Sequence, residues 1–386
     1  MSGQTNFDVI IAGAGSIGTP TAYFLAKAGL KVLVLESFSS TGQGSNKHAI
    51  GGVRATHSDP AKILLCSNSI NIFSTWKAEH GQDIEWRAGG YSFVAYDDST
   101  EKTLKDLLDM QHDLGLNINW LEQKQFLELV PDINPNALRG GTYSPEDGSA
   151  SPLKASFAFC QEAVKHGAVF HYNEKVTGIE VVSDRVRSVT TDKDHYSTNC
   201  VINAAGSWSA EIGRLVGLDL PVRPDAHEAG ITETVQPMFS PMVVDIRSRP
   251  GSSNFYFYQH PDGKIIFCVT PNPQIWGNLD QDTSAFLPLA SKRLIEIMPK
   301  LSNIRVRRTW RGTYPMTPDG NPILGKVEGV EGFLLATGAC GQGFMLGPGV
   351  GQLISHLVQG SLSEQERQCL FSMRLDREWT SMEKLK

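Results

Sequence analysis

The clearest run of apolar and polar positions lies near the start of the chain. The apolar run Val9–Ala12 leads into Gly13, Ala14, Gly15, Ser16, Ile17 and Gly18. A segment of helical composition follows, and a second apolar run, 31–35, ends at Glu36. Short apolar runs bounded by glycine read as buried strands. The pattern predicts strand, glycine turn, helix, strand and terminal acid, the unit that holds a dinucleotide.

Further along, residues 59–79 have the spacing of an amphipathic helix, with Ile63, Ile70, Phe73 and Trp76 among its apolar positions. Residues 89–95 read as a strand, 99–115 and 122–130 as helices, and 153–166 as a helix ending at Gly167. Short strands are expected around 169–172, 176–182 and 186–191. Residues 200–206 (CVINAAG) form an apolar strand running into a glycine turn. Residues 222–285 are rich in β-formers, with strands expected at 230–234, 254–258 and 264–269. A helix is expected over 284–298, with Pro288 marking its start. Residues 332–337 read as a strand running into a second glycine turn, 338–343, and a helix from about 348 to 358.

The order of these elements places the chain in the α/β class. A Rossmann-like cofactor-binding domain is assembled from discontinuous segments, 1–90, 140–220 and 305–386. A mainly antiparallel β-sheet substrate domain with helices takes 91–139 and 221–304.

Composition narrows the function classes. A length of 386 residues suggests two or three domains, and 40% hydrophobic with 20% charged residues fits an ordinary globular protein. A net charge of −6 without a basic cluster gives no support for nucleic-acid binding. The apolar runs are too short for a membrane span. The chain enters its first strand without a basic and apolar leader, so no secretory signal is expected. Cys66, Cys160, Cys200, Cys268, Cys340 and Cys369 are scattered, with no C-x-x-C pair. That spacing argues against a metal site, an iron–sulfur cluster or a disulfide framework, and reduced thiols in a cytoplasmic protein are expected.

The N-terminal unit has a physical reading. Gly13 permits the tight turn, Gly15 lets the backbone approach a pyrophosphate, and Gly18 lets the helix pack close to the strand. The helix start offers free N–H groups and a partial positive charge. Glu36 is placed to accept hydrogen bonds from ribose hydroxyls. The polar, glycine-rich stretch 37–52 (SFSSTGQGSNKHAIGG), followed by Val53 and Arg54, is a loop that can lie over the cofactor.

Three more motifs specify the cofactor: 201–209 (VINAAGSWS), 317–325 (TPDGNPILG) and 338–351 (GACGQGFMLGPGVG). With the N-terminal unit and Gly51, Gly52, Val53 and Arg54, they resemble the D-amino-acid oxidase superfamily of flavoproteins. Within it, the chain is similar to sarcosine oxidase and to the β subunits of heterotetrameric sarcosine oxidase and dye-linked L-proline dehydrogenase. The resemblance covers nearly the whole chain, in order. It implies FAD in an extended pose. The expected cofactor contacts are Gly13, Gly15, Ser16, Ile17, Gly18, Glu36, Ser37, Gly44, Ser45, Gly52, Val53, Val176, Ala204, Ala205, Gly206, Trp208, Gly312, Gly338, Gly341, Gln342, Gly343, Phe344 and Met345.

The chain departs from these relatives in places. Where monomeric sarcosine oxidase links its flavin through a cysteine, Gly312 stands here, so noncovalent FAD is expected. Residues 148–157 lack the histidine that carries a second flavin, FMN, in the heterotetrameric β subunits. The lysine that promotes oxygen reaction falls at Ile265 or Ile266, beside Lys264. A substrate-binding lysine is replaced by Met345.

The resemblance implies oxidation of the C–N bond of a secondary or cyclic amino acid, proline- or sarcosine-like. A hydride passes to flavin N5 and an imine forms. Arg54 is a candidate for contact with the flavin or a substrate carboxylate, against a surface arginine in a loop. Arg311 either holds a carboxylate or pairs with a neighbouring acid. Tyr256 and Tyr258 share one strand parity, so one face turns to the flavin and the other to the core or solvent. His48 and His227 are further polar candidates. The expected partners are a small-molecule amine and either an electron-accepting subunit or O2. Two alternatives stand: a flavin-binding β-type subunit without independent activity, and an FAD oxidoreductase for a 2-hydroxy acid or glycerol 3-phosphate.

Overall fold

A computed structural model describes residues 6–380 and 382–385. Its first layer is a six-stranded sheet. In spatial order the strands are Ile323–Lys326, Phe333–Thr337, Val201–Asn203, β1 (Val9–Ala12), β2 (Val32–Glu36) and Val169–Tyr172. All neighbours run parallel except Ile323–Lys326, which returns antiparallel to Phe333–Thr337. Parallel strands of this kind are buried on both faces, which is why β1, and β2 as far as Leu35, are apolar rather than alternating. On one face Val9 and Ile11 meet α1 (Gly18–Lys27) and the helices Pro60–His80, Pro152–Lys165 and Gly343–Gln359. On the other, Ile10 and Ala12 meet Val186 and Val189 of a three-stranded antiparallel sheet.

The second layer is an eight-stranded sheet: Val306–Met316, Arg223–Thr234, Lys264–Asn272, Gly251–Gln259, Met242–Asp245, Tyr91–Ala95, Gly140–Ser144 and Asn119–Glu122. One pair, Met242–Asp245 with Tyr91–Ala95, is parallel and the rest are antiparallel. The alternation along Gly251–Gln259 divides its faces. Phe255 and Phe257 join Phe267 in a core beneath the helix Phe286–Ile297, while Tyr256 and Tyr258 join Tyr91 and Phe93 on the opposite face. A large cavity separates that face from the cofactor sheet.

Several expectations shift. Gly140–Ser144 and Val306–Met316, assigned from sequence to the cofactor domain, pair within the large sheet. Hydrogen-bond partners decide sheet membership, and local composition does not specify them. The helix expected from Pro288 starts at Phe286. The helix expected from about 348 starts at Gly343 and carries Pro348 inside it. Packing against α1 overrides the proline preference here. A Cβ at Gly347 would lie 2.0 Å from the Ser16 carbonyl oxygen, so only glycine lets this helix cross α1 so closely. Among the described residues, no helix is long and apolar enough to cross a membrane.

Candidate active site

The cavity between the two sheets measures about 1220 Å³, and segments from the whole length of the chain line it. At one end stand two helix starts. α1 follows the turn containing Gly13, Gly15, Ser16 and Ile17, and the helix Gly343–Gln359 follows the turn 338–343. Neither has a side-chain cap or an acid in its first turn. Their first N–H groups and positive dipole ends are therefore available to an anion. Gly18 makes the first turn compact: a Cβ there would sit 1.9 Å from the Gly13 carbonyl oxygen.

Glu36 ends β2 at the cavity wall. Its carboxylate accepts from Ala14 N at 2.8 Å and Phe38 N at 2.9 Å. Burial pushes its pKa up against the lowering effect of those bonds. The loop beside these helix starts is fixed by hydroxyls from three distant segments. Ser45 Oγ lies 3.2 Å from Thr313 Oγ1 and 3.4 Å from Ser207 Oγ, and the latter two are 2.9 Å apart. Phe38 packs edge-on against Trp208, with ring centroids 5.5 Å apart.

These residues fit a dinucleotide: an anion cradle of two helix starts, a carboxylate one strand away, and small residues Ala204, Ala205 and Gly206 between them. Two buried acceptors on the same wall, Asn46 Oδ1 and Gln342 Oε1, have no partner among the described residues. A model of the family DAO, FAD dependent oxidoreductase, matches residues 8–357. The chain belongs to this family.

Its relatives extend the comparison. Mouse mitochondrial sarcosine dehydrogenase is 27% identical over 374 residues, covering 93% of this chain. The chain spans only 40% of that relative's length. The crystal structure of L-proline dehydrogenase from P. horikoshii superimposes with a TM-score of 0.88 at 28% identity, covering 94% of this chain and 96% of that one. Glycine oxidase from Geobacillus kaustophilus, at 23% identity and a TM-score of 0.86 over 97% of this chain and 99% of that one, shows the same fold.

Other polar groups line the same cavity, and the Tyr314 ring packs directly against Gly341 of the 338–343 turn. Arg54 is buried on its wall, with its guanidinium carbon 5.2 Å from the Phe93 ring centroid and 5.9 Å from that of Tyr91. Nη1 donates to the Thr56 carbonyl and lies 3.2 Å from His57 Nδ1. Burial, then the charge of Arg54, pushes His57 down to about 3, so its imidazole is neutral at ordinary pH. Asp147 secures this loop, accepting from Ala55 N at 2.8 Å and Thr56 Oγ1 at 2.7 Å.

Tyr256 and Tyr314 both line the cavity, with hydroxyls 2.7 Å apart. Burial holds both phenols well above their ordinary range. His227 stacks on Tyr314 at 3.7 Å between centroids and meets Asp225 Oδ2 at 3.1 Å.

Most residues singled out in the sequence line this cavity: Gly13, Gly15, Ser16, Ile17, Glu36, Ser37, Gly44, Ser45, Gly52, Val176, Ala204, Ala205, Gly206, Trp208, Gly312, Gly338, Gly341, Gln342, Gly343, Phe344 and Met345, with Arg54, Tyr256, His48 and His227. Four others lie off its wall. Gly18 packs behind the turn, and Val53 pairs with Gly148. Tyr258 donates to the Ile50 carbonyl at 2.6 Å and so pins the covering loop. Arg311 donates to the Gln281 carbonyl at 3.1 Å, because strand parity places Trp310 and Gly312 on the cavity and Arg311 off it.

On the strand expected to carry the lysine position, Cys268 and Thr270 line the cavity. Ile266 lies on the tyrosine face of the sheet, and Ile265 faces the phenylalanine core. Lys264 is near the surface, paired with Asp262. Sequence reasoning passed over Tyr314, although its shared parity with Gly312 was a usable signal. It also passed over Asp147, Met382, Glu383 and Leu385, which no motif marks.

Proposed function

We propose that this chain catalyses the FAD-dependent oxidation of the C–N bond of a secondary or cyclic amino acid, with proline- and sarcosine-like compounds as the class. The observation that supports it most is a single guanidinium, Arg54, buried between aromatic rings on the wall that also carries the Tyr256 and Tyr314 hydroxyls. A planar guanidinium between apolar rings suits the two oxygens of one carboxylate. The other basic side chain on the wall, Lys175, stands beside Val176 near Glu36. One guanidinium suits a monoanionic carboxylate better than a phosphate, which argues against glycerol 3-phosphate.

In this reading FAD, when bound, supplies the hydride acceptor. Residues of the first β–α turn, Glu36, the 201–209 motif and the 338–343 turn hold it. Arg54 fixes the substrate carboxylate, and Tyr91 and Phe93 keep water from the pair. The Tyr256–Tyr314 pair stays protonated and presents hydroxyls that orient the amine. No side chain is required as a catalytic base.

Ile266, on the tyrosine face of the sheet, stands where the resemblance places a lysine that promotes reaction with oxygen. With no lysine on that face at this position, a dehydrogenase that passes electrons to a partner is favoured over an oxidase. The mitochondrial sarcosine dehydrogenase and L-proline dehydrogenase similarities support the same choice. The six cysteines are unpaired, which supports a cytoplasmic setting as part of this proposal. FAD attachment is noncovalent in this reading, because Gly312 offers no thiol and a Cβ there would lie 2.5 Å from His48 Cβ. Acid denaturation is expected to release all the flavin. Flavin retained on the chain would sink that part and point to His48.

Anaerobic absorbance of the purified flavoprotein, mixed in turn with L-proline, sarcosine, D-amino acids and glycerol 3-phosphate, tests the main reading. Bleaching by a secondary or cyclic amino acid is expected, with slow recovery in air. Bleaching by glycerol 3-phosphate alone would overturn it. No bleaching by any amine would favour a partner-dependent subunit.

A further inference from the structure

Residues 382–385 lie more than three hundred positions from Arg54 in sequence and yet meet it in the cavity. Met382, Glu383 and Leu385 contribute to the cavity wall. The Leu385 side chain is buried in one cluster with Tyr91, Phe93 and Val244, which line the cavity with it. Its carbonyl accepts a hydrogen bond from Arg54 Nη2 at 2.5 Å.

Glu383 anchors the segment. Its Oε1 accepts from Ser58 N at 2.9 Å, Ser58 Oγ at 2.7 Å and Leu385 N at 3.0 Å. Its Oε2 lies 3.3 Å from His57 Nδ1 and 3.4 Å from Lys62 Nζ, and all three side chains are fully buried. Lys62 also donates to the Gly320 carbonyl at 2.8 Å, which ties its ammonium to the loop beside the cofactor sheet. Lys384 N adds a bond to Ser58 Oγ at 2.8 Å. A buried carboxylate is stable only when paired, so Glu383 and Lys62 hold each other in place. Against burial, the His57 contact and the charges of Lys62 and Arg54 keep the Glu383 carboxyl ionised, well below its ordinary range.

This arrangement bears directly on Arg54. A guanidinium offers five N–H donors in one plane. One on Nη1 is taken by the Thr56 carbonyl and one on Nη2 by the Leu385 carbonyl. Two carbonyls from distant parts of the chain thereby set the plane of the fork, the second Nη1 hydrogen faces His57 Nδ1 at 3.2 Å, and Nε with the second Nη2 hydrogen can serve a ligand. The Leu385 side chain fills apolar space next to that plane.

We propose that residues 383–385 form a wall of the substrate site: Glu383 and the Leu385 carbonyl position Arg54, and the Leu385 side chain limits the size of the carboxylate ligand that reaches it. The proposal rests on the reading of Arg54 as the carboxylate anchor. Glu383 is a positioning residue, and Leu385 determines specificity by volume.

Acetate and benzoate, titrated into the holoenzyme and followed by perturbation of flavin absorbance, test it. In Leu385→Ala, benzoate affinity relative to acetate is expected to rise roughly tenfold or more, the discrimination that one or two methylenes of pocket space provide. Leu385→Met, close in volume, is expected to keep the wild-type ratio. Glu383→Gln is expected to weaken acetate roughly tenfold through loss of a fixed anchor geometry, with FAD affinity unchanged. Amide exchange at Lys384 and Leu385 in the wild-type holoenzyme requires no variant to fold. It is expected to slow when acetate binds, and faster exchange would overturn the proposal by showing that the segment leaves as the ligand enters. An unchanged benzoate-to-acetate ratio in Leu385→Ala would overturn it too. Arg54→Lys separates the two levels. If it abolishes acetate binding while Leu385→Ala changes nothing, only the wall proposal fails. If wild type binds no acetate, or Arg54→Lys binds it unchanged, the reading of Arg54 fails and the wall proposal with it.

Discussion

Tyr256 and Tyr314 meet hydroxyl to hydroxyl at 2.7 Å, although their strands are not neighbours in the sheet. Arg223–Thr234 and Lys264–Asn272 run between them. Two long side chains on the cavity side therefore bridge a span that no backbone pairing covers. The contact sits on the cavity wall, so it joins sheet geometry to the site.

Removing either hydroxyl tests that link. Tyr256→Phe is expected to slow anaerobic flavin reduction roughly tenfold, equivalent to one lost hydrogen bond of about 1.4 kcal/mol. Tyr314→Phe is expected to do the same, and the double variant little more, since both remove one bond. Additive losses in a double-mutant cycle would show that each hydroxyl acts alone.

Arg54→Lys keeps the charge and loses the planar fork. For an amino-acid substrate, KM is expected to rise roughly a hundredfold, near the upper range of about 1.5–3 kcal/mol for a hydrogen bond to a charged group. The limiting rate of flavin reduction is expected to fall less. Stopped-flow titration with substrate separates the two constants. A variant with unchanged KM would remove Arg54 from the carboxylate site.

Glu36→Gln retains an acceptor for Ala14 N but loses the charge. FAD affinity is expected to fall roughly tenfold, since a charged acceptor is worth about 1–2 kcal/mol more than a neutral one. Fluorescence titration of apoprotein with FAD measures it. An unaltered Kd would show that the carboxylate serves only the Ala14 and Phe38 amides.

Asp147 links pH to the fold. Burial pushes its carboxyl up to about 6 despite the bonds from Ala55 and Thr56. The native state thus favours the protonated form relative to an unfolded chain, where aspartate titrates near about 3.9. The stabilisation is full below about pH 4 and is lost as pH rises through about 6, a change of roughly 3 kcal/mol. Urea unfolding from pH 4 to 7 is expected to show wild type losing stability relative to Asp147→Asn across that window. Parallel curves would show that Asp147 does not titrate there.

The cofactor end was legible because its signals are local. Gly13, Gly15, Gly18 and Glu36 sit within one β–α–β unit, and their spacing alone specifies turn, helix start and acid. The 338–343 turn was equally legible, but the helix after it was not, since Gly347 had to be seen against Ser16 to explain why Pro348 is carried inside it. On the large sheet, strand parity narrowed the choices without deciding them. Tyr256 reached the cavity and Tyr258 took a carbonyl of the covering loop. Arg311 turned off the wall beside Gly312.

By itself, the sequence determined the nucleotide-binding unit, the cofactor family and many residues of the cavity wall, because backbone conformation at glycine turns is dictated within a few residues. Only the tertiary structure decided which side chains share the cavity. The Tyr256–Tyr314 bond, the Asp147 hold on the Arg54 loop, and Glu383 with Leu385 against Arg54 join segments far apart in the chain. Such contacts depend on sheet order and on the pairing of buried charges, and no local pattern of residues encodes either.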